Sequence, residues 1–167
     1  MVIEQRPLSE IEQKIANDVQ RHGCSIMSVF DPEGEEPDFS YSIGFPEKLA
    51  QPEVIVFSLP KNLRASMINE LYRQMSAEGL VMHDGQRVSD LLVGHDCILR
   101  EVRNGEAIAE HFGSAIWYSR RFHDRELQQA FQIVWPGAQQ GLFPWEEGCS
   151  QAVIDDQPAL YSTGLNS

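Results

Sequence analysis

The chain has 167 residues, 42% of them hydrophobic and 23% charged, with a formal net charge of −12 from 25 acidic against 13 basic side chains. That length and apolar content suit one domain with its own core and exclude a disordered chain. The negative balance repels nucleic-acid phosphates and anionic lipid, so neither is expected as a partner.

Ser9 and Glu12 form a capping-box pattern ahead of Ile11, Ile15 and Val19, an apolar stripe at four-residue spacing with Ala16 beside it, and Gly23 supplies a left-handed stop. A helix is expected over Leu8–His22. Cys24–Phe30 alternates loosely and reads as a largely buried strand. The loop DPEGEEP has strong turn residues. After it, Phe39, Tyr41 and Ile43 point one way and Ser40, Ser42 and Gly44 the other. A short polar loop favours an antiparallel hairpin of these two strands. The small second face leaves room for a packed helix or a ligand. A Pro-containing loop then leads to Glu53–Leu59, EVIVFSL, a β-branched and aromatic strand buried on both faces.

Ser58 and Pro60 are placed to start the next helix. Leu63, Met67, Leu71 and Met75 form its core stripe, and Gly79 ends it. Leu80–Met82 and Arg87–Val93 read as short strands around the polar turn His83–Gln86, and Cys97–Val102 as a firmer one. Asn104-Gly105 marks a turn. Helices are expected over Glu106–Phe112 and Ala115–Arg121, and a last strand over Phe131–Trp135, stopped by Pro136-Gly137. From Ala138 the tail is expected to lie irregularly on the domain. The whole reads as one α+β domain over residues 1–155, a mainly antiparallel sheet packed by two or more amphipathic helices. Residues 156–167 form a C-terminal tail expected to fray.

No apolar run approaches the roughly 20 residues of a membrane helix, and MVIEQRPLSE lacks the pattern of a secretory leader. A cytoplasmic protein is expected, with Cys24, Cys97 and Cys149 as reduced thiols. Charge is unevenly spread. The segment Asp31–Asp38 holds Asp31, Glu33, Glu35, Glu36 and Asp38, and no Lys or Arg follows Glu126.

Three stretches carry a resemblance: YSIGF at Tyr41–Phe45, QPEVIVFSLP at Gln51–Pro60, and FQIVWPGAQQGLFPWEEG at Phe131–Gly148. Together they resemble the bacterial family catalogued as domain of unknown function 4262. Its members show an aromatic-Thr/Ser-x-Gly turn, a Pro-Glu-apolar strand, and a late Gln-x-Val-Trp-Pro followed by Phe-Pro-Trp. The resemblance covers about Ile11 to Gly148. Where the family pattern often has Asp after Trp-Pro, this chain has Gly137. The resemblance implies that Tyr41, Gly44, Pro52, Glu53, Trp135, Pro136, Pro144 and Trp145 belong to one shared feature. It supplies the extent of the domain and no activity.

The candidate site residues follow from their chemistry. Glu53 at the start of a buried strand can cap the turn at Ser42–Gly44 or pair with Arg100. Trp135 and Trp145 near Tyr41 would make either an aromatic-walled pocket or a corner of the core. His111 and His123 flank Arg120, Arg121 and Arg125, the basic cluster of the chain. These arginines can grip an anion or pair with the protein's own acids. His95 and His111 are the acid–base candidates. His95 lies two residues from Cys97, a separation of about 7 Å, long for an activated nucleophile. There is no nucleotide loop, no GxSxG and no metal-ligand spacing, so no cofactor is expected. Zinc would require three of Cys97, Cys149 and the histidines to converge. Two functions are expected as alternatives. One is an acidic binding protein of the immunity or antitoxin kind that engages a basic protein. The other is a small-molecule enzyme or ligand-binding domain built on the aromatic pocket and the Arg/His grip.

Overall fold

The computed structural model describes residues 6–162. Its core is a six-stranded sheet with order β1-β2-β3-β6-β5-β4. The strands are β1 (Ser25–Val29), β2 (Phe39–Ile43), β3 (Glu53–Phe57), β4 (Gln86–Leu92), β5 (His95–Val102) and β6 (Ala130–Val134). Neighbours are antiparallel except β3 and β6, which run parallel with Val54 opposite Phe131. The expected hairpin forms, with Met27 opposite Tyr41. All five residues of β3 and of β6 are buried, as their apolar runs require at the centre of a sheet covered on both faces.

Among the described residues six helices surround the sheet: α1 (Glu10–His22), α2 (Phe45–Leu49), α3 (Lys61–Glu78), α4 (Gly105–His111), α5 (Gly113–His123) and α6 (Gln151–Asp156). The capping box of α1 is present, with Glu12 N–H donating to Ser9 Oγ at 3.1 Å and Ser9 N–H to Glu12 Oε1 at 3.0 Å. On one face, α3 packs Met67, Ile68, Leu71 and Met75 over Val54, Val56, Leu99, Phe131 and Ile133. On the other, Ile15 and Val19 of α1 join Ile108, Phe112, Ala115 and Tyr118 over Tyr41, Ile43, Ile55 and Phe57. Alternation along each strand divides the two cores.

The small face of β2 receives a helix. Arg64 of α3 is buried there, its Nε donating to Ser40 Oγ at 2.8 Å and its Nη1 to the Leu59 carbonyl at 2.7 Å. At the far edge, Gln74 of α3 donates to the Ser89 carbonyl at 2.9 Å.

Four expectations are corrected. The loop between β2 and β3 contains the short helix α2, entered through Gly44 at φ 109. Ser58 does not cap α3. Its φ is 57, its Oγ donates to the Asp156 carbonyl at 2.7 Å, and Pro60 occupies the N-cap. Leu80–Met82 is not a strand. The Gln51 amide takes the place of a neighbouring strand, donating to the Leu80 carbonyl and accepting from Met82 N–H, both at 2.8 Å. The segment beyond Asp156 is packed as far as Tyr161, because Gln157 and Tyr161 are buried. Residues 163–167 of the expected tail lie outside the described residues.

Candidate functional site

Glu53 is 2% exposed. Its carboxylate accepts from Ser42 Oγ at 2.7 Å, Gly44 N–H at 2.8 Å and Phe45 N–H at 3.2 Å. Ser42 Oγ in turn accepts from Val54 N–H at 2.9 Å, so its proton is directed at Glu53. Burial pushes the carboxyl up to about 7, while the three donors pull it the other way. Of the two roles expected for Glu53, it takes the cap, and Arg100 lies elsewhere. This site joins β2, α2 and β3 and is closed to solvent.

The expected aromatic pocket does not assemble. Tyr41 faces the α1/α5 core, and its hydroxyl accepts from Ser114 N–H at 2.9 Å. Trp135 lies in the α3 core on the opposite face, its indole N–H donating to the Phe57 carbonyl at 2.9 Å. Trp145 stacks on Phe143 with centroids 5.3 Å apart, in the tail that covers β5 and β6. Tyr41, Trp135 and Trp145 therefore occupy three separate places, while Gly44 joins Glu53 in the cap.

The expected anion grip is occupied by the protein's own groups. Arg120 makes a bidentate pair with Glu126 at 2.7 and 2.8 Å. Arg121 lies over the Phe122 ring, and its Nε is buried without a partner among the described residues. His123 Nε2 is 2.7 Å from Glu47 Oε1, which also accepts from Tyr118 Oη at 2.7 Å. Burial opposes ionisation of Glu47, yet these bonds hold its carboxyl below the usual range.

The acid–base candidates also separate. His111 packs its ring against Phe39 and Phe57, with Nδ1 2.8 Å from the Ala107 carbonyl. His95 opens β5 opposite Leu92. Cys97 is fully buried, and burial pushes its thiol up to about 12, which leaves no thiolate for nucleophilic attack near neutrality. Among the described residues no cluster of His, Cys, Asp and Glu could hold a metal ion.

Two surface features of the described residues bear on function. The first is a cleft of about 390 Å³ lined by Asp84, Arg100, Glu101, Arg103, Asn104 and Tyr161, among others. The Arg100 side chain is 8% exposed. Its guanidinium carbon lies 4.4 Å from the Tyr161 ring centroid and 4.9 Å from that of Trp145, and its Nε donates to Asp84 Oδ1 at 3.1 Å. Its Nη1 has no hydrogen-bond partner among the described residues. The sequence offers Arg100 to Glu53 and links it to neither ring, because Arg100 is 45 positions from Trp145 and 61 from Tyr161 and no local pattern joins them.

The second is the acidic loop between β1 and β2. Asp31 accepts from the N–H groups of Glu33, Glu35 and Glu36 at 3.0, 3.0 and 3.1 Å. These bonds, the Glu33 amide first, hold its carboxyl below the usual range. At the far end, Ser58 N–H donates to the Asp38 carbonyl at 2.7 Å. Glu33, Glu35 and Glu36 are exposed on this braced loop, next to Phe30, which is 69% exposed. The Asp-Pro-x-Gly pattern marked the turn, but the charge count alone did not reveal that one carboxylate organises the others.

The chain belongs to the family described as Domain of unknown function (DUF4262), which it matches over residues 18–150. No curated protein and no solved structure matches it. No helix among the described residues is long and apolar enough to cross a membrane.

Proposed function

We propose that this family member is a cytoplasmic binding protein of the immunity or antitoxin kind, whose acidic surface engages a basic protein partner. The observation that carries the reading is the braced loop. A carboxylate cluster on a floppy loop loses ordering entropy on binding, whereas this one is held by Asp31 before any partner arrives. Phe30 beside it offers an apolar contact inside a charged rim, the arrangement of a protein interface. The net charge of −12 would speed encounter with a cationic protein and keep the complex salt-sensitive. The test is binding to a panel of basic proteins at low and high salt, with the wild type and a Glu33→Lys/Glu35→Lys/Glu36→Lys variant. A salt-dependent complex weakened by the charge reversal supports the reading. Absence of any such complex, or one indifferent to the reversal, ends it.

The Arg100 cleft favours a second reading, a ligand-binding domain for a small anion with an aromatic wall. Arg100 is aligned by two rings and Asp84, and its Nη1, without a partner among the described residues, is a ready donor to a carboxylate or phosphate. Titration with benzoate and phenyl phosphate, followed by amide shifts, tests it. Shifts at Asp84, Arg103 and Tyr161 that vanish in Arg100→Met are expected. Shifts that persist in the variant would refute it.

A further inference from the structure

We infer that the outer edge of β1 is the docking site itself, and that it receives an extended, Lys- or Arg-bearing segment of the partner as a seventh strand. This rests on the reading of a basic protein partner and assigns the surface and the mode of contact. The two edges of the sheet differ. The β4 edge is blocked. Its register slips between Val88 and Leu92, Asp90 stands at φ 72, Arg87 and Asp90 are exposed charges, and the Ser89 carbonyl is taken by Gln74. Those are the devices that keep an edge strand from pairing with another chain.

β1 has none of them. Its register with β2 is continuous from Ser25 to Val29, and it carries no charge, proline or bulge. Among the described residues its outward main-chain groups bond to nothing outside the hairpin. Ile26 on the α3 side and Met27 on the α1 side, both half-buried, carry the two apolar cores out to this edge. An added strand would therefore find main-chain partners and an apolar surface on each face, the elements of strand-addition recognition.

Charge selects the occupant. The edge ends at Phe30 and the braced carboxylates of Glu33, Glu35 and Glu36. A basic segment meets opposite charge there. A second copy of this chain would bring its own net charge of −12 to the same edge.

The probe is a short peptide alternating Lys and Val, compared with the same peptide N-methylated at every backbone amide and with a Glu–Val peptide. The readouts are amide chemical shifts and hydrogen exchange of the intact protein. The Lys–Val peptide is expected to shift and protect amides of Ser25–Phe30 and the acidic loop. Its affinity should fall about tenfold or more between low and about 0.5 M salt. The N-methylated peptide, lacking the ladder donors, and the Glu–Val peptide should not bind. The Glu33→Lys/Glu35→Lys/Glu36→Lys variant changes only exposed side chains and should weaken binding while leaving the free protein's amide shifts outside the loop in place. Equal binding of the N-methylated peptide, or shifts that spare β1, overturns the proposal. So does concentration-dependent protection of β1 in the free protein, which would make the occupant a second copy. A basic globular protein that binds in salt-dependent fashion while β1 stays unshifted would leave the cationic-partner reading intact and remove only the strand edge.

Discussion

Replacing Glu53 is the sharpest perturbation of this fold. In Glu53→Ala the hydroxyl of Ser42 and the amides of Gly44 and Phe45 lose their shared acceptor in a site without solvent. A buried donor left unpaired costs about 1–3 kcal/mol. Three donors, offset by relief from burying a carboxylate, give a net loss of about 3 kcal/mol. Urea unfolding near pH 7 measures it. The pH profile adds an independent check. The folded-state pKa, about 7, lies above the ordinary 4.5, so between these values the folded protein holds more protons than the unfolded chain. This group's contribution is therefore full below pH 4.5, falls as pH rises toward 7, and is level above that. The span is at most about 3 kcal/mol. Glu53→Gln keeps the shape but turns an amide N–H toward one of the donors, and it should lose this slope while being destabilised by about 1–3 kcal/mol. A loss under about 1 kcal/mol in Glu53→Ala, or an unchanged pH slope in Glu53→Gln, would refute the reasoning.

Other outcomes follow from the same structure. Gly23→Ala places a Cβ against the Tyr72 hydroxyl at a residue with φ 89, and thermal unfolding should show a loss of about 1–3 kcal/mol. Arg64→Ala removes the bonds to Ser40 and Leu59 and leaves a void under α3. It should cost about 2–4 kcal/mol in denaturant, and a neutral result would show that the buried guanidinium is dispensable. Alkylation followed by mass spectrometry should modify Cys149 first, and Cys24 and Cys97 only after unfolding, because both are buried with thiols pushed up to about 12. Asp31→Ala should speed hydrogen exchange at Glu33, Glu35 and Glu36 and weaken any cationic complex while leaving the melting temperature nearly unchanged. A rigid loop in that variant would remove Asp31 from its bracing role.

Periodicity and caps made much of this architecture legible. The stripe Ile11, Ile15, Val19 behind Ser9 and Glu12 specifies α1, and the apolar runs at β3 and β6 announce central strands, because local patterns record which face is dry. The elements that misled were those whose hydrogen bonds are completed from afar. Ser58 is drawn to Asp156, and the Gln51 side chain imitates a strand beside Leu80 and Met82. No window of sequence contains both partners.

The candidate residues divide along the same line. The sequence by itself determined that Glu53 heads a buried strand, that Ser42–Gly44 makes a turn, and that the Asp31–Asp38 loop is acidic. Strand alternation and turn chemistry are local, so such features follow from residue order. Only the tertiary structure decided that Tyr41 and Trp135 lie on opposite faces of the sheet, that Arg100 lies between Trp145 and Tyr161, and that β1 is an unguarded edge while β4 is blocked. Those facts depend on strand order, and above all on the insertion of β6 in parallel beside β3. That pairing joins segments more than 70 residues apart, a separation that neither periodicity nor charge encodes.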